Sequence, residues 1–109
     1  MRWEKYTPPV LDSRGLANAD NQLTLLMGYP PVYPNRALMS NIEGFVVVGF
    51  SVSQAGEVFD AYILESEPKG VFDRSSLQAI GKFRYRSQVV NGKPIATDGQ
   101  RYMFTYEID

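Results

Sequence analysis

Asp60, Glu65, Glu67 and Asp73 are the side chains of this chain best placed to move a proton, and Lys69 and the run Lys82-Phe83-Arg84-Tyr85-Arg86 those best suited to hold an anion. The 109 residues contain no histidine and no cysteine. General acid–base work would therefore fall first to carboxylates; Ser-His and Cys-His nucleophiles, thiolate or imidazole metal sites, disulfides and histidine pH switches are excluded. The four carboxylates show no motif in their spacing, and turn and helix-start positions held in water account for them better. Lys69-Gly70 lacks the glycine pattern that cradles phosphate. The Lys82 to Arg86 run interleaves cations with aromatics, as single-stranded nucleic acid binders do. Eleven basic residues against twelve acidic leave a formal charge of −1, however, which removes the long-range attraction that nucleic acid or an anionic membrane surface would need. An amphipathic helix end, with Phe83 and Tyr85 inward and the cations solvated, is the reading that remains. These residues point away from an enzyme and imply no cofactor.

A different chemistry is available from the backbone. In Arg101 to Asp109, Tyr102, Phe104, Tyr106 and Ile108 share one parity and Arg101, Met103, Thr105 and Glu107 the other, which is the alternation of a strand with one buried face. Were this strand at the edge of a sheet, its unpaired N–H and C=O groups could take an extended peptide as an added strand. Arg101 and Glu107 protecting the edge, or the N-terminal segment covering it, are the competing readings, and the pattern leaves all three open.

The elements that would position such an edge follow from periodicity. Glu43 to Ser66 reads as a β-hairpin, with Val46, Val48, Phe50 and Val52 at period two and Gly49, Ser51 and Ser53 on the other face. Hiding those four side chains is worth roughly 1.5–3 kcal/mol each, whereas ordering each residue of backbone costs about 1–2 kcal/mol, so the hairpin needs a cover. Gly56 suits the turn, and the broken apolar phase of Glu57 to Glu65 predicts a bulge near Asp60. Beyond Pro68 and Gly70, a helical stripe of Phe72, Ser76, Ala79, Ile80 and Phe83, with Leu77 beside it, supplies the cover. Asp73 at its start and Lys82, Arg84 and Arg86 at its end would match the helix dipole. Ser87 to Gln100 reads as a looped connection, with turn dipeptides Asn91-Gly92 and Asp98-Gly99 and room for a miniature hairpin.

Ahead of the hairpin, Tyr29-Pro30-Pro31-Val32-Tyr33-Pro34 gives an extended lead-in, followed by a short helix from Asn35 to about Asn41 with Ala37 and Leu38 inward. Residues 1–28 show no sustained period and read as a linker or partly ordered segment. Leu23 to Met27 would add a short strand or a helical turn, Trp3 or Tyr6 could pack back, and disorder is expected before Leu16. Residues 29–109 then form one α+β domain. Its three-stranded antiparallel sheet has the order return strand, first strand, last strand, which numbers 2-1-3, and the last strand lies at an edge. The short N-terminal helix and the main helix pack on one face. No run approaches the roughly 20 apolar residues of a spanning helix, so the chain is expected to be soluble or separated from its anchor.

One family carries these residues in this order. YPxxA (Tyr33, Pro34, Ala37), EGxVxVxFxV (Glu43 to Val52), GxVxD (Gly56 to Asp60), ILxSxP (Ile63 to Pro68), FD (Phe72, Asp73), FRYR (Phe83 to Arg86) and NGKP (Asn91 to Pro94) resemble the C-terminal domain of TonB-type energy transducers. The resemblance spans residues 29–109. It implies a periplasmic domain on an inner-membrane anchor, driven by a complex resembling ExbB and ExbD, that binds the TonB box of outer-membrane transporters to power uptake such as that of siderophores or iron. It further implies partner contacts at Tyr33 and Pro34 and strand addition along Arg101, Tyr102, Met103, Phe104, Thr105, Tyr106 and Glu107. An assembly module similar to the TolA C-terminal domain, dimeric through the same edge, is the alternative. This chain departs from the family pattern at Phe83, at Ser87 where a proline is usual, and at Pro30-Pro31.

Overall fold

The computed structural model describes residues 23–108. In chain order these form β1 (Thr24–Met27), α1 (Asn35–Met39), β2 (Gly44–Val52), β3 (Val58–Glu67), α2 (Asp73–Ile80), β4 (Arg84–Arg86), β5 (Gln88–Val90), β6 (Lys93–Ile95) and β7 (Thr97–Tyr106). Antiparallel pairing puts β2 in the middle of a sheet ordered β3-β2-β7, and two small ribbons, β1-β4 and β5-β6, stand outside it. The expected disorder before Leu16 and the packing of Trp3 or Tyr6 lie outside the described residues. At the end of the segment read as a linker, Leu23 is buried and Thr24–Met27 take the strand alternative, paired with β4.

The inward row of β2 is buried at every position, with Val46, Val48, Phe50 and Val52 each 1% exposed or less. Across from it β3 loses register twice, between Gly49 and Ser51 and again between Val47 and Val48 of the partner strand. The first break falls at Asp60, whose φ of 53° is left-handed, so the expected bulge is where the apolar phase changes. Helix α2 packs on β2 and β3. Its stripe of Phe72, Ser76, Ala79 and Ile80, continued by Phe83, is buried and closes the core against the sheet.

Several local expectations are corrected. Helix α2 stops at Ile80 with Gly81 as its C-cap and no basic residue in its last turn, so Arg84 and Arg86 do not complement its dipole. Phe83 and Tyr85 are inward as expected, but Tyr85 is carried by strand β4. Gly81 is a poor helix former, and the alternation Phe83, Arg84, Tyr85, Arg86 suits a strand at period two. In α1, Ala37 is buried while Leu38 is 45% exposed, because a helix of five residues turns only one narrow stripe inward. Asp98-Gly99 is not a turn. It lies inside β7, where the register slips between Phe50 and Val52 of β2 and Gly99 takes φ 70°, making a bulge that extends the last strand back to Thr97. Asn91-Gly92, both at positive φ, do turn the β5-β6 hairpin.

Gly56 ties the hairpin turn to β4. Its N–H donates to Ser53 O at 2.9 Å, its carbonyl accepts Tyr85 N–H at 2.9 Å, and its φ is 85°. A Cβ there would stand 2.1 Å from the Tyr85 carbonyl oxygen. Gly92 has a similar φ of 79°, but a Cβ added there would meet nothing within 4 Å. Gly56→Ala should therefore cost about 1–3 kcal/mol of overpacking beyond whatever Gly92→Ala costs through φ alone. Urea unfolding of the two variants measures this, and equal midpoints would contradict it.

Candidate partner-binding edge

The last strand has two faces and two edges, and each has a different fate. Its inner row, Tyr102, Phe104 and Tyr106, is fully buried. Phe83 meets Tyr102 and Phe104 edge-on, with ring centroids at 4.8 and 5.7 Å. Phe72, at the start of α2, stacks on Tyr106 at 4.1 Å, and Tyr33 stands edge-on to both rings at 5.5 and 5.6 Å. Such aromatic pairs add about 0.5–1.5 kcal/mol each beyond the area they hide. The Tyr106 hydroxyl and Ser76 Oγ are hydrogen-bonded at 2.8 Å in this buried layer. Tyr33 donates its hydroxyl hydrogen to the Ile42 carbonyl, which fixes the exit of α1 just before β2 begins. At the far end, Ile108 N–H donates to Glu43 Oε2 at 2.7 Å, tying the end of the chain to the start of β2.

One edge of β7 pairs with β2 over seven consecutive residues, from Gly44↔Tyr106 to Phe50↔Gln100, with no slip. Its other edge has no strand beside it among the described residues. The opposite edge of the sheet, on β3, is far less regular. Its two slips cut it into runs of three residues or fewer, and it carries Asp60, Glu65 and Glu67 as exposed charges. Bulges and charges are the means by which sheets discourage edge pairing, so β7 rather than β3 offers a straight template. That template ends at the Gly99 bulge on one side and at Tyr106 on the other. Glu107 lies just beyond the strand.

The residues expected to touch a partner are thus divided. Gln100–Tyr106 share the regular edge, and Arg101, Met103 and Thr105 form its outward row. Tyr33 is only 8% exposed and its ring is packed in the core, where burial, with Glu43 nearby, raises its pKa. It holds α1 and Tyr106 in place, while Pro34, half-buried as the N-cap of α1, stays at the surface. Gln100 escapes a reading of the sequence because the Asp98-Gly99 dipeptide looks like a turn; the parity it shares with Tyr102 is the signal that marks it. A shallow cleft of about 60 Å³ lies between Tyr29–Val32 and Lys82 of the helix exit, with Lys82 Nζ 5.9 Å from the centre of the Tyr29 ring. It is far below the roughly 300–1,000 Å³ of small-molecule sites. No group of three or more acidic side chains able to hold a metal occurs among the described residues.

Residues 29–108 match the family described as Gram-negative bacterial TonB protein C-terminal. The chain is 38% identical over 90 residues to protein TonB of Pseudomonas aeruginosa, covering 83% of this chain and 26% of that one. It is 42% identical over 64 residues to protein TonB of Salmonella typhimurium, covering 59% and 25%. It therefore spans about a quarter of the length of these curated relatives. Its fold is similar to the solution structure of the Pseudomonas aeruginosa TonB CTD, with TM-score 0.64 and 37% identity over 86% of this chain and 92% of that one. It is also similar to the TonB2 protein of Vibrio anguillarum, with TM-score 0.60 and 36% identity over 81% and 83%.

Two outcomes follow from the buried layer. Tyr106→Phe leaves Ser76 without its partner and should cost about 1–3 kcal/mol, whereas adding Ser76→Ala to it should cost less than the sum of the single changes; urea unfolding of the cycle reads this. Burial, opposed by the Ser76 bond and aided by Asp73, pushes Tyr106 up to about 12 from its ordinary value near 10. Its contribution to stability is complete below about pH 10 and is lost as pH rises through about 12, because the unfolded chain releases that proton first. Alkaline unfolding should coincide with tyrosinate absorbance, and unchanged stability across that window would contradict it.

Proposed function

The chain belongs to the Gram-negative bacterial TonB protein C-terminal family, and on that premise we propose that it is the partner-binding end of a TonB-type energy transducer. It works in the periplasm, takes the TonB box of an outer-membrane transporter as a strand added to β7, and passes on pull derived from the proton-motive force. The rest of such a transducer anchors it in the inner membrane, where a complex resembling ExbB and ExbD drives it. The domain's own part is binding and load transfer rather than catalysis.

The observation that carries this reading is the contrast between the two edges, one regular over Gln100–Tyr106 and one broken twice. Backbone pairing suits a partner that must be held in a defined register and released again. About five ladder hydrogen bonds at roughly 0.5–1.5 kcal/mol net each barely offset an association cost of about 4–15 kcal/mol. Affinity for the isolated box should accordingly be about micromolar or weaker. Several ladder bonds loaded together can still carry force while the two proteins are held close by other contacts, such as those around Pro34.

Titration of the isotopically labelled domain with a box-like peptide tests the proposal. The amides of Gln100 to Tyr106 should shift, with little change along β3. Shifts confined to β3 or to the Tyr29–Val32 cleft would contradict strand addition at β7. If light scattering showed the same edge closed by a second copy at working concentrations, the assembly-module reading would replace it.

A further inference from the structure

Met103, Arg101 and Thr105 share the outward face of β7, the one turned away from both helices, and each offers an added strand something different. Arg101 is exposed, and its guanidinium makes no hydrogen bond or ion pair among the described residues. Directly across from it on β2 is Gly49, which has no side chain to meet it, and the Tyr62 ring of β3 lies over that glycine. Met103 is half-buried beside Val47, and Thr105 stands beside Phe45. Thr105 Oγ1 is buried with no hydrogen-bond partner. A buried hydroxyl in that state is unfavourable, and a χ1 rotation that turns it toward a hydrogen-bonding group on an added strand relieves it.

We infer that this outward row selects the partner strand by side chain: an acidic residue facing Arg101, an apolar one facing Met103 and a hydroxyl or amide facing Thr105, at every second position of an extended peptide. The inference rests on strand addition at β7. Period two carries it, since a strand laid beside β7 must place alternate side chains on the same face as Arg101, Met103 and Thr105. The three contacts differ in kind, being an ion pair, an apolar contact and a neutral hydrogen bond, so together they fix a register that backbone pairing alone would leave free to slide by two.

Short synthetic peptides titrated into the labelled domain at low salt test this. A neutral reference peptide that moves the Gln100 to Tyr106 amides establishes strand addition itself, and its failure would count against the proposed function rather than against this selection. Given that binding, an aspartate walked through the peptide should tighten it about two- to fivefold at a single position. That gain should vanish in Arg101→Gln and at high salt. A threonine four residues from the aspartate, on the Thr105 side, should be preferred over valine by the native domain and not by Thr105→Val, a variant that should be no less stable than the parent. Equal binding of acidic and amide peptides, or a gain that persists in Arg101→Gln, overturns the inference. So does a threonine preference that is absent from the native domain or survives Thr105→Val.

Discussion

An edge strand can offer its backbone to a partner only if its inner side chains are already buried by something that leaves the edge open. In this domain the aromatic layer of Tyr33, Phe72, Phe83 and the inner row of β7 meets that requirement. Helix α2 lies over β2 and β3 and reaches β7 through Phe72 at its start and Phe83 just past its end. Tyr33 closes the layer at Tyr106, and its hydroxyl pins the chain at Ile42 as it turns into β2. Tyr102, Phe104 and Tyr106 are thus wholly buried although, among the described residues, the strand that carries them has a neighbour on one side only.

The same logic explains the unequal edges. β3 is bent twice, at Asp60 and near Leu64, and carries acidic side chains along its length, so extended chains find no straight ladder there. β7 is kept regular by its unbroken register with β2, and the bulge at Gly99 ends that regularity where the β5-β6 hairpin departs. The β1-β4 ribbon holds the other end of the hairpin: the Gly56 carbonyl accepts from Tyr85, and Glu57 bridges to Arg84. The sheet is therefore one arrangement, in which β2 is the common partner of a strand broken twice and a strand held in unbroken register.

Much of this is legible in side-chain periodicity. The alternation Val46, Val48, Phe50, Val52 and the stripe Phe72, Ser76, Ala79, Ile80, Phe83 have long enough runs to set their phase, and the alternation of Tyr102, Phe104 and Tyr106 marks the last strand. What is not legible has physical reasons. Five residues of α1 are too few to fix a helical phase, so Leu38 falls on the side opposite to the one its pattern suggests. Phe83 and Tyr85, two positions apart, share a face only in extended backbone, but the three residues of β4 are too few for that alternation to stand out against the helical stripe that runs into Phe83. Asp98-Gly99 serves a bulge as readily as a turn, because both need positive φ. The small β1-β4 ribbon depends on a pairing between distant segments that no local pattern announces.

The most direct measurement uses the absence of cysteine from the chain, which makes any introduced thiol unique. Single cysteines placed at Arg101, Met103 and Thr105 on β7, and at Phe59 and Tyr62 on β3, can be oxidised against a transporter whose box carries a cysteine at successive positions. Strand addition predicts disulfides to the β7 positions alone, with the preferred box position advancing by two as the site moves from Arg101 to Met103 to Thr105. Equal bridging to β3, or yields on β7 that do not advance in steps of two, would contradict the central claim.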